Sequence, residues 1–165
     1  MMMEAFFSKF PDVARNETRS ITILNDSYGL EQGQYSFIEY FCNDAECDCR
    51  RAMIQVLGPG DRSFATLGYG WESANFYTNW MFGDEEFGQN ASGAHHYEMS
   101  PQTEHSDQLL ILFKQMLEDA HFANRIKAHY QLFKGAFEGG RLSKKNHSPF
   151  GKSYFNKKMK EIQKD

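Results

Sequence analysis

Cys42, Cys47 and Cys49 are the only cysteines of this 165-residue chain, and all three fall in the stretch "CNDAECDCRR". Thiols this close together suit a metal ion better than a disulfide. A single bridge would leave one thiol over, and a ring closed between Cys47 and Cys49 would be strained. In an extended C-x-C pair the two side chains point the same way, so a loop that folds back would bring Cys42 beside them. Zinc favours four tetrahedral ligands, with sulfur at about 2.3 Å. Three thiolates on a divalent ion leave one net negative charge, which Arg50 and Arg51 follow closely enough to offset, donating to the sulfurs as they do so. Asp44, Glu46 and Asp48 oppose that balance and are expected to face water or to pair with the arginines. C-x4-C-x-C is not among the common zinc-finger spacings. Two other readings of the loop therefore stay open: a redox or catalytic thiol activated by the arginines, and three unconnected surface cysteines.

A tetrahedral ion needs a fourth ligand, and six histidines are available. His129 lies with Phe122, Ile126 and Phe133 at helical spacing, on an apolar stripe. A buried imidazole must be hydrogen-bonded or ligated. The expected metal set is therefore Cys42, Cys47, Cys49 and His129, against the alternative that His129 is a satisfied core histidine. His95, His96 and His105 come next, His121 falls off the stripe, and His147 lies in the C-terminal tail. Recognised catalytic patterns are missing. "HYE" at His96 to Glu98 matches half of a zinc-deaminase signature, but no P-C-x-x-C follows it. No HExxH, G-x-S-x-G or phosphate-binding loop occurs. No catalytic residue is assigned, although an open metal position would make Glu72 or Glu98 the base of a hydrolase-like enzyme.

The elements that must position these residues read as strands first and helices later. "RSITIL" (19–24) alternates, "YSFIEYF" (35–41) is β-branched and aromatic, and "AMIQVL" (52–57) and "SFATLGYG" (63–70) follow after short turns. Such short connections favour antiparallel neighbours. The cysteines thus occupy the tip of the hairpin between the second and third strands. "ESANFYTNWMFG" suits a short helix capped by Ser73 and ended by Gly83. Residues 84–100 look irregular. A further helix is expected from Ser100 and Pro101. Its stripe, Leu109, Leu112, Phe113, Met116, Leu117, points away from a second one, Phe122, Ile126, Tyr130, Phe133, Phe137, at about 100° per residue. A break between Glu118 and His121 resolves the conflict into two helices. The expected fold is one α+β domain over residues 1–140, a four-stranded antiparallel meander with C-terminal helices packed on one face.

Composition sets the remaining bounds. A hydrophobic share of 41% and a charged share of 24% are ordinary for a globular protein. No apolar run is long enough to span a membrane, and "MMMEAFFSKFPDVARNE" lacks the features of a signal peptide, so a cytoplasmic location is expected. Residues 141–165 hold eight Lys/Arg against two Asp/Glu, whereas the other 140 residues hold ten against twenty. The tail could bind a polyanion or nucleic acid through its charge and through Phe150, Tyr154 and Phe155.

"YFCNDAECDCRR", "GYGWES" with "FYTNW", and "RIKAHYQLFK" together resemble a family of uncharacterised bacterial proteins, over roughly residues 35–135. The cysteine block is the most specific part. The resemblance implies a shared fold and no particular activity. The functional expectation is thus a domain stabilised by structural zinc and acting as a binding or interaction module.

Overall fold

A computed structural model of the protein describes residues 2–25 and 27–137. The chain is α+β: an antiparallel sheet with helices packed against it. The tail expected to bind a polyanion, and His147 within it, lie outside the described residues.

The four expected strands are present as β2 (Ser20–Ile23), β3 (Gly33–Cys42), β4 (Arg51–Leu57) and β5 (Ser63–Gly70). The sheet is larger than four strands, because β1 (Met3–Ala5) and β6 (Gly93–His96) extend it to six. β1 and β2 share one edge of β3: Met3 to Ala5 pair with Cys42 to Tyr40, and Ser20 to Ile23 pair with Ser36 to Gly33. Between them the chain leaves the sheet as α1 (Phe6–Lys9) and α2 (Pro11–Glu17). The ladder resumes where the Phe37 N–H donates to the Arg19 carbonyl at 2.9 Å.

Alternation along β3 sends Tyr35, Phe37, Glu39 and Phe41 to the buried face. α5 (Ser106–Met116) and α6 (Ala120–Gly135) cover that face. Phe37 stacks on Phe113 at 5.8 Å, and Phe41 meets Tyr130 and Phe133 edge-on or tilted at 5.8 and 5.7 Å. The break between the two helices falls where the opposed stripes require it, and the Asp119 side chain caps α6 by accepting from the His121 N–H. α5 starts later than expected. Residues 101–103 are irregular and 104–105 a turn, not helix, because Thr103 spends its hydroxyl on the Phe64 carbonyl and its N–H on Ser106 Oγ, tying the segment to β5.

The 84–100 stretch is ordered where disorder of pattern was expected. It holds α4 (Glu85–Ala91), capped by Asp84, and then β6. α3 (Ala74–Trp80) has its expected cap, Ser73 Oγ accepting from the Phe76 N–H at 3.2 Å. These two helices do not join α5 and α6. Tyr69 faces Phe113 of α5, so its neighbour Gly70 points to the opposite face, where it meets Tyr77 of α3 and the Ala91 carbonyl of α4. Helices therefore lie on both faces of the sheet.

Candidate metal centre

β3 ends at Cys42 and β4 begins at Arg51, so the cysteine loop is the tip of the β3–β4 hairpin, as its position between two strands requires. The loop turns back at Asp44. The Cys47 N–H donates to the Asp44 carbonyl at 3.1 Å, and the Glu46 N–H to Asp44 Oδ1 at 3.0 Å. That turn is an Asx-type closure, and its effect is to fold Cys47 and Cys49 against Cys42. The three sulfurs lie within 4.8 Å of one another. Two sulfurs on one tetrahedral ion would be about 3.8 Å apart for bonds of about 2.3 Å, so the triangle is of the size that one ion needs. Cys42 and Cys49 are buried, at 0% and 1% exposure, and Cys47 is partly buried.

Hydrogen bonding among the three sulfurs favours the thiolate at Cys42 over the other two. Cys42 is held far below the ordinary thiol range, first by the hydrogen bonds it receives from Cys47 and Cys49, and then by the Asp44 N–H and Lys134, against the opposing effect of burial. Cys47 and Cys49 are pushed upward in turn, chiefly by their bonds to Cys42, with burial adding to the rise. The cluster is therefore primed with one thiolate, stabilised by neighbouring S–H groups, and a cation would take over their role.

The cation that acts on Cys42 and Cys47 is not an arginine. Lys134, on the last turn of α6 and itself buried, donates from Nζ to the Asp44 carbonyl at 2.7 Å and lies 5.6 Å from the centre of the Tyr130 ring. Arg50 and Arg51 are used elsewhere, which corrects the expectation that they donate to the sulfurs. Arg50 grips Asp48 with two bonds of 3.0 and 2.8 Å, reaches Glu72 at 3.3 Å and lies over Phe76. Its backbone adopts φ +45°, held by an N–H bond to the Tyr130 hydroxyl and a bond from the Tyr77 hydroxyl to its carbonyl. Arg51 pairs with Glu98 at 2.7 Å. Of the acidic neighbours, Asp48 does pair with an arginine. Glu72 and Glu98, the candidate bases, are both held by arginines in these pairs.

His129 is fully buried on the α6 stripe, as the periodicity implies, but its partners are not the sulfurs. Nδ1 lies 3.0 and 3.1 Å from the two Glu39 carboxylate oxygens, and Nε2 lies 2.9 Å from Glu17. Phe6 stacks on the ring at 4.4 Å. With both nitrogens donating to carboxylates, His129 has no lone pair to give a metal. That is the physical reason it drops out of the ligand set, and it fulfils the alternative of a hydrogen-bonded core histidine. Burial works to lower its pKa, but Glu39 and Glu17 outweigh it and hold the imidazole at about 9. His95 and His96 sit on β6, His105 lies against Phe64, and His121 is exposed at the start of α6. Among the described residues the group that converges is Cys42, Cys47 and Cys49 alone.

Lys134, Glu39 and Glu17 are the residues that sequence reasoning passed over. A signal for two of them was present. Glu39 alternates with Tyr35, Phe37 and Phe41 on a core face, where a carboxylate needs a cation. Lys134 follows Tyr130 by one helical turn and so shares its side of α6. Compared with protein-family models, with curated proteins and with solved structures, the chain gives no match.

Proposed function

We propose that Cys42, Cys47 and Cys49 bind one zinc ion, and that the ion stabilises the β3–β4 hairpin tip of a binding or interaction module. The observation that carries this reading is the convergence of three sulfurs within 4.8 Å. Charge supports a divalent ion: three thiolates and a dication leave one negative charge, and the buried Lys134 ammonium beside the turn balances it. Burial supports a structural role over a catalytic one. Cys42 and Cys49 are closed off from solvent, whereas a catalytic zinc keeps a position open to substrate. Among the described residues no other side chain joins the sulfurs.

Elemental analysis tests this in protein purified without metal-affinity resin. About one zinc per chain is expected, with the three thiols protected from a thiol reagent until a chelator is added. Metal-free protein whose thiols all react at once would overturn the proposal.

A further inference from the structure

At the sheet edge formed by β6 there is a cleft of about 460 Å³ between α4 and α5, separate from the thiol cluster. Phe87, Ala94 and Leu110 give it apolar walls, and His95, His96 and Glu98 give it polar ones. His95 stands opposite Gly68 of β5 in the ladder. A Cβ at position 68 would collide with its imidazole, so the ring can lie against the strand only because that residue is glycine. Its Nδ1–H donates to the Gly93 carbonyl at 2.9 Å, and its Nε2 lies 3.5 Å from the Arg51 guanidinium, from which it accepts. Burial keeps the ring below the ordinary histidine range, and so neutral at neutral pH.

Glu98 is ionised: burial raises its pKa, but Arg51 and its surroundings lower it further. One oxygen takes Arg51, and the other lies 3.7 Å from His95 Nε2. His96 donates from Nε2 to Asp107 at 2.9 Å. Its Nδ1 is buried and has no hydrogen-bond partner among the described residues. In the neutral ring that atom is a further acceptor.

We infer that this cleft binds a small neutral ligand rich in O–H or N–H donors, a polyol or an amide. Such a ligand would give hydrogen bonds to His96 Nδ1 and the Glu98 carboxylate while its carbon skeleton packs on the apolar walls. Charge excludes the other classes. An anion would face the His96 Nδ1 lone pair and the Glu98 carboxylate. A cation would gain little from Glu98, which Arg51 already neutralises, and would meet Lys114 on the cleft wall. A metal ion is excluded because these acceptors do not converge as the sulfurs do.

The test follows the imidazole resonances of His95 and His96 by NMR in the full chain, with D-ribose, propionamide and propylammonium as probes. Ligands of this size reach a Kd on the order of 1–10 mM. Ribose or propionamide should shift both rings in that range, identifying the polyol or the amide as the better source of donors. Propylammonium should bind at least about threefold more weakly. Glu98→Gln, whose amide oxygen can still accept from Arg51, and His96→Phe, which keeps a ring, should each weaken the neutral probe at least about threefold. The inference is overturned if neither neutral probe shifts the rings at about 100 mM, if propylammonium binds as tightly, or if both variants bind like the parent.

Discussion

Lys134, Cys42 and His129 each sit where a neighbour distant in sequence decides their charge. At the cysteine loop the adjacent arginines are committed to Asp48, Glu72 and Glu98, and the balancing charge arrives from α6 instead. Replacing it should therefore matter more than replacing either arginine. Lys134→Met is expected to weaken zinc binding by about tenfold to a hundredfold, the size of one charge interaction of about 1.4–3 kcal/mol at short range. Competition with a chromophoric chelator measures it, and an unchanged affinity would remove Lys134 from the account. His129 gives a prediction in pH. Its folded pKa of about 9 lies above the unfolded value of about 6.5, so its contribution is complete below pH 6.5 and is lost as pH rises through 9. That contribution is at most about 3 kcal/mol. Metal-loaded protein should thus lose denaturation midpoint steadily across this window, and His129→Gln should flatten the slope while lowering stability at pH 6.5. A parent protein with no slope there would show that the imidazole is not held as a cation. The periodicity of α6 made the burial of His129 legible. Its partner Glu17 was not legible, because that residue ends α2 and reaches the imidazole only through the α1–α2 excursion.

Elements with a strong pattern were legible, and elements defined by their neighbours were not. β3, β4 and β5 carry β-branched and aromatic runs between turn residues, and the opposed stripes of α5 and α6 force a break between them. β1 reads "MEA" and β6 reads "GAHH", too short and too weakly patterned to signal a strand. Each exists because a longer strand offers it an open edge. The placement of α3 and α4 was likewise hidden, since it rests on the missing side chain at Gly70. A Cβ there would collide with the Ala91 carbonyl and come within 2.7 Å of the Tyr77 hydroxyl. Gly70→Ala should therefore destabilise the fold by about 1–3 kcal/mol, the usual range for overpacking, visible as a lower denaturant midpoint. It should also loosen Arg50, whose carbonyl takes the Tyr77 hydroxyl bond. A variant as stable as the parent would mean that α3 and α4 are not seated on this strand as described.

For the molecule as a whole, the cysteine loop is a junction. Its residues touch the residue before β1 through the Asn43 N–H bond to the Met2 carbonyl, α6 through Lys134 and Tyr130, and α3 through Tyr77. An ion bound there would tighten all of these contacts together, because binding free energy at such a site is partly folding free energy. Removing the metal should lower the melting temperature and speed hydrogen exchange first in residues 42–51, leaving the centres of β4 and β5 protected. Uniform loss of protection, or none, would mean that the loop is not a separate cooperative unit. Ligation of one zinc ion by Cys42, Cys47 and Cys49 is the decisive point, and X-ray absorption at the zinc edge reads it out. Protein loaded with one equivalent of zinc should show three sulfurs at about 2.3 Å and one nitrogen or oxygen, with one sulfur lost in each of Cys42→Ser, Cys47→Ser and Cys49→Ser. A first shell with fewer than three sulfurs in the parent protein would contradict it.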